Sequence, residues 1–156
     1  MRDYDPTGEV DLHGYTGSLI TYGLAAAAFA GLAGASGRRL PEQFAVRDLV
    51  LGGVATHKFA RLLARGSVTS PVRAPFTEFA GPDGSAEHTE EARGAHGVRH
   101  TVGELLTCPF CLGVWIGTSY VAALAVAPRP ARTWAAVFTV TAVSDFLQHG
   151  YARLRG

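Results

Sequence analysis

The residues with the most reactive chemistry are Cys108 and Cys111, the only two cysteines in 156 residues. They are spaced as Cys108-Pro109-Phe110-Cys111, and Trp115 follows one turn later. Positions i and i+3 of a helix are neighbours, so the two sulfurs can come within disulfide or metal-sharing distance. Pro109 needs no amide donor and suits the first turn of a helix, which places Cys108 at the N-cap. There the positive end of the helix dipole favours a thiolate, the nucleophile of thiol–disulfide exchange. In such a redox site Cys108 and Cys111 carry the chemistry beside Glu104, one turn earlier. A zinc site is a second alternative. The pair supplies two of the usual four ligands, and His100 and His57 are candidates for the others, with His96 and His88 behind them. The third is packing alone, with two small polarizable side chains in a helix groove. No βαβ pattern surrounds the pair, which argues against a thioredoxin-like domain.

Those residues must be held by something, and composition indicates what. Apolar residues make up 47% of the chain and charged residues 17%, against about 25% charged in ordinary soluble domains. The apolar residues lie in blocks about twenty long, the length at which a helix crosses the roughly 30 Å hydrocarbon layer of a bilayer. The lipid bilayer is therefore the expected partner. A net charge of +1, with no basic stretch interleaved with aromatics, sets nucleic acid aside. The opening is polar through Asp11 and lacks the order of a cleavable signal peptide, so the first apolar segment is expected to be retained.

The fold class expected is all-α, an integral membrane helical bundle of about four transmembrane or interfacial helices. Residues 1–16 read as a polar tail and 17–156 as the helical membrane domain, with a flexible polar loop over 81–101. The first helix runs from Ser18 to Ala35 without charge. The second, about Phe44 to Ala64, carries Arg47, Asp48, His57, Lys58 and Arg61, and either spans or lies in the interface. The third runs from Val102 or Gly103 to Val126. The fourth, about Thr133 to Leu154, holds Asp145 and His149 one turn apart, as an ion pair or a proton-relay couple. Between helices two and three, Gly66 to Phe76 contains two prolines and is expected to follow the membrane surface, with Val72, Phe76 and Phe79 inserted and Arg73 as its charge. Counting Arg2, Arg61, Arg65, Arg73, Arg93, Arg99, Arg153 and Arg155 against Arg38, Arg39, Arg129 and Arg132 puts the termini and the 65–101 loop in the cytoplasm.

Three stretches occur in a recognisable order: Lys58-Phe59-Ala60-Arg61-Leu62-Leu63, then Val68-Thr69-Ser70-Pro71-Val72-Arg73-Ala74-Pro75-Phe76, then Gly103-Glu104-Leu105-Leu106-Thr107-Cys108-Pro109-Phe110-Cys111-Leu112-Gly113-Val114-Trp115. Together they resemble the bacterial family catalogued as domain of unknown function 1360, some of whose members are sporulation-associated small membrane proteins. The resemblance runs from about Val54 to the end of the fourth helix. It is carried by Arg61, Pro71, Arg73, Phe76, Glu104, Cys108, Pro109, Cys111 and Trp115. It implies a small multi-pass protein of the bacterial inner membrane and no particular reaction. The loop from Gly81 to His100 looks like an insertion in that pattern.

The sequence contains no Ser/His/Asp nucleophile arrangement, phosphate loop or His-Glu-x-x-His element, so enzymatic readings rest on the cysteines. The expected function is a structural or partner-binding component of a bacterial membrane process, with no cofactor. Its partners are the bilayer and another membrane protein or a second copy of itself. A membrane thiol redox protein and a Cys/His zinc protein are the alternatives.

Overall fold

The computed structural model describes residues 4–8, 10–37, 40–84 and 86–155. Helices α1 (Leu12–Ala35) and α2 (Val46–Arg65) are followed by a 3-10 turn (Ser67–Thr69) and the short α3 (Ser70–Arg73). An antiparallel hairpin of β1 (Thr77–Pro82) and β2 (His88–Ala92) comes next, then α4 (Val98–Thr107), α5 (Pro109–Val126) and α6 (Pro128–Leu154). The protein is mostly helical, and α1 and α5 are long and apolar enough to cross a membrane. The all-α expectation is corrected by the hairpin, which pairs Thr77 with Ala92 and Glu78 with Glu91 and whose second strand lies inside the 81–101 stretch that reads from sequence as a flexible loop.

Helix α2 is the centre of the packing because its inward faces are small. Gly52, Ala55, Ala60 and Ala64 are all buried, which lets α5 and α6 come close, as small residues do between membrane helices. The Tyr120 ring lies on Gly52, and its hydroxyl donates to the Asp48 carbonyl at 2.8 Å. Phe59, Trp134 and Phe138 stack edge-on or tilted beside it. Two ion pairs tie α2 to α6. Arg132 reaches the buried Asp48 carboxylate at 2.7 Å, and Lys58 is hydrogen-bonded to Asp145. Asp145 thus pairs across helices, whereas the sequence pairs it with His149 one turn along. On the face bearing Arg47, Val50, Val54, His57 and Arg61, all but the half-buried Val54 are exposed, away from the packed seam.

The helix ends also differ from expectation for local reasons. Helix α1 starts at Leu12 because Asp11 caps it, accepting from Gly14 N–H at 3.0 Å. The third sequence helix is two, broken at Cys108, whose backbone is extended (φ −102°, ψ 103°) before Pro109 opens α5. Arg2, Arg38 and Arg39, which enter the charge count, lie outside the described residues.

A Cβ on Gly52 would lie 2.0 Å from Tyr120 Cε1. Gly52→Ala is therefore expected to push the ring off its bond to Asp48 and to cost about 1–3 kcal/mol, read as a lower thermal midpoint in detergent. Gly53→Ala, where an added Cβ meets nothing within 4 Å, is expected to leave the midpoint unchanged; equal losses would contradict the packing described.

Candidate functional site

The last carbonyls of helix α2 and its cap gather side-chain donors as well as backbone ones, as helix ends do. Thr69 Oγ1 donates to Leu62 O at 2.6 Å, and Arg73 Nη1 donates to Leu63 O at 2.6 Å and Nη2 to Gly66 O at 3.0 Å. Pro71, in the first turn of α3, starts the turn that brings Arg73 inward. The Arg73 side chain has 0% exposure and Glu90 4%. A charge in such a place requires a hydrogen-bonded counter-charge. Glu90 supplies it in fork geometry, Nε to Oε2 at 3.0 Å and Nη2 to Oε1 at 2.7 Å. Ser70 Oγ and Thr77 Oγ1 also donate to Glu90, at 2.8 and 2.7 Å. Nearby, Arg61 grips Glu87 through Nε and Nη2 at 2.8 and 2.7 Å.

Motif residues Arg61 and Arg73 therefore find both acidic partners in the segment that sequence alone presents as an insertion. Arg73 does not run along a surface; it is the interior anchor of the hairpin. Phe76 O accepts from Arg93 N–H at 2.9 Å, and Gly103 of α4 sits so close that a Cβ there would be 2.5 Å from the same oxygen. Ser70 Oγ also lies 3.0 Å from His88 Nδ1, but its proton goes to Glu90, so His88 is not placed as its base. Burial alone would raise the Glu90 carboxyl, and the bonds from Arg73, Thr77 and Ser70 overcome it and hold it at about 2.

The cysteine turn lies between α4 and α5. Its sulfurs form a disulfide with Cα atoms 5.3 Å apart, Cys108 half-buried and Cys111 exposed. Cys108 is the N-cap of α5, and Cys111 N–H donates to its Sγ at 3.1 Å. Glu104 accepts from Tyr15 of α1 at 3.0 Å and lies 3.6 Å from His100 Nε2. Trp115 meets the Tyr22 ring edge-on at 5.2 Å. The two motif residues flanking the disulfide thus both fasten α1. His57 is exposed on α2, and among the described residues no three His, Cys, Asp or Glu side chains are grouped to hold a metal.

Asp11 is a positioning residue that pattern reading passes over, although an acid directly before an apolar run is a helix-start signal. It accepts from Gly14 N–H, Gly97 N–H and Thr101 Oγ1. The Gly14 amide foremost holds its carboxyl below the usual range against the burial that raises it, with Gly97 and Thr101 adding to the effect. Through Asp11, α1 is tied to α4, and a groove of about 820 Å³ lies between them, lined in part by Leu12, Val98, Val102 and Trp115.

The profile of the family described as "Protein of unknown function (DUF1360)" matches residues 51–151, which include every motif residue named above together with Glu87 and Glu90. "Sporulation protein YjcA" of Bacillus subtilis (strain 168) is 30% identical over 103 residues, 64% of this chain and 86% of that protein. No solved structure matches.

The depressed Glu90 carboxyl links stability to pH. Its contribution is fully present above the ordinary value of 4.5 and is lost as pH falls toward about 2, a change on the order of 3 kcal/mol. Glu90→Gln removes that titration. In thermal scans of the two proteins, the wild-type advantage is expected to shrink steadily between pH 4.5 and 2; a constant difference would contradict the charged pair.

Proposed function

This chain belongs to the DUF1360 family, and from that membership we propose that it is a four-span integral membrane protein, a structural or partner-binding component of a bacterial membrane process. One observation carries the proposal: α1, α5 and α6 are apolar on their outer faces, and α2 is joined to α6 by ion pairs. Leu19, Leu24 and Leu32 of α1, Val114 of α5, and Val140, Phe146 and Leu147 of α6 are each more than half exposed. Exposed apolar faces of this extent suit lipid. The hydroxyls of Thr16 and Thr21 bond back to the carbonyls of Leu12 and Gly17, as polar groups in hydrocarbon must.

In this arrangement α1, α2, α5 and α6 span. The 20 residues of α2 reach about 30 Å, and four of the charges that keep α2 and α6 from passing as simple apolar spans are matched in the Asp48–Arg132 and Lys58–Asp145 pairs. Four spans bring both termini, the hairpin and the cysteine turn to one side. Arg61, Arg65, Arg93, Arg99, Arg153 and Arg155 against Arg47, Arg129 and Arg132 support the cytoplasm of a bacterial inner membrane as that side. The hairpin is then a small extramembrane platform, braced by Arg73 and Arg61, on which another membrane protein or a second copy can assemble. The relative's name supports spore formation as the process.

Topology and role are both measurable. The protein is expected to stay in membranes washed with alkaline carbonate, with a reporter inserted at 40–45 facing outward and one at the C-terminus facing inward. Deleting the gene in a spore-forming host that encodes it is expected to lower heat-resistant spore yield, restored by wild type and not by Arg73→Ala. Carbonate release, or both reporters on one side, would overturn the four-span arrangement; an undiminished spore yield would overturn the process.

A further inference from the structure

The Cys108–Cys111 turn joins no two distant parts of the protein. Its disulfide closes over a separation of three positions, inside a helix start already set by Pro109 and by the Cys108 cap. A loop that short restrains the unfolded chain far less than one linking separate elements, so a structural staple explains it poorly. The surroundings instead favour exchange. Cys111 is exposed while Cys108 is half-buried, and Phe110 between them is 89% exposed, an apolar contact point beside the bond. The amide of Cys111 donates to Cys108 Sγ at 3.1 Å, at the N-terminus of the 18-residue α5. The amide's hydrogen bond stabilises negative charge on Cys108 Sγ in particular, and the helix dipole adds to it.

We propose that Cys108 and Cys111 form a thiol–disulfide exchange site that takes two electrons from a protein dithiol, with Cys111 the sulfur attacked and Cys108 the sulfur released. A partner thiolate bonds to Cys111 Sγ as the Cys108–Cys111 bond breaks, and its electron pair passes to Cys108 Sγ, held by the Cys111 amide. The partner's second thiol gives its proton to solvent and attacks its own sulfur in the mixed disulfide. This releases Cys111 as thiolate. The partner dithiol is oxidised to a disulfide, and the pair, after protonation, is a dithiol. In a reducing cytoplasm a disulfide is transient and serves catalysis or sensing rather than architecture. The exchange chemistry is independent of the orientation proposed above, whereas its occurrence in the cytoplasm rests on that orientation.

The test uses the full chain, oxidised and in detergent, with a single-cysteine peptide as a probe that cannot complete the second step. After an acid quench and alkylation, peptide mapping is expected to find the peptide on Cys111 and the alkyl group on Cys108. Dithiothreitol is expected to reduce the pair under native conditions with the helical circular dichroism unchanged. A pair that resists both thiols, an adduct on Cys108, or helix loss on reduction would each overturn the proposal. In intact cells, a membrane-impermeant maleimide is expected to spare the reduced pair. Labelling from outside, with the in vitro mapping as expected, would overturn the cytoplasmic placement and leave the exchange site standing.

Discussion

A guanidinium with no exposed surface must find partners for its five N–H donors inside the protein, because it stays charged and a buried charge without partners destabilises the fold. Around Arg73 that requirement gathers pieces far apart in the sequence. Its Nη1 and Nη2 donate to the carbonyls of Leu63 and of the cap residue Gly66 at the end of α2, and its Nε–Nη2 edge takes the Glu90 carboxylate from β2. Thr69, Ser70 and Thr77 fill the remaining positions. The pair is satisfied from both ends. Helix α2 stops where it does, α3 turns as it does, and the hairpin folds back onto the bundle because each supplies part of one closed network.

The rest of the bundle follows a similar rule with smaller terms. Asp48 and Lys58 of α2 are paired with Arg132 and Asp145 of α6 across the helix interface, and small residues on α2 make room for that approach. Apolar side chains then remain on the outside of α1, α5 and α6. Helix α1 is attached through polar contacts near its start, from Asp11 and Tyr15 to α4, and through Tyr22, which packs on Trp115 and is hydrogen-bonded to Thr118. The residues that carry the family resemblance are spent mainly on these joints. Glu104 and Trp115 hold α1, and Arg61 and Arg73 hold the hairpin.

What was legible in the sequence was local. Pro109 after Cys108 announces a helix start with the cysteine as cap, because that geometry depends on adjacent residues only. The uncharged runs announce α1 and α5 for the same reason. The hairpin was hidden because its buried residues, Thr77 and Glu90, are polar. They face inward to satisfy Arg73, which inverts the alternation that marks a half-buried strand. Asp145 has a histidine at helical spacing, yet its partner is Lys58 on another helix. Sequence spacing could not weigh a neighbour brought by packing. His100 and His57 stand near the cysteines in the chain or on the facing helix, but one is turned to Glu104 and the other points outward.

The buried Arg73–Glu90 pair ties the end of α2 to the hairpin. Amide hydrogen exchange on Arg73→Ala in detergent addresses it most directly, because it resolves the joint from the bundle. Protection is expected to be lost over residues 62–92, with α5 and α6 exchanging as in the wild type. Undiminished protection in the hairpin, or a uniform loss across every helix, would contradict it.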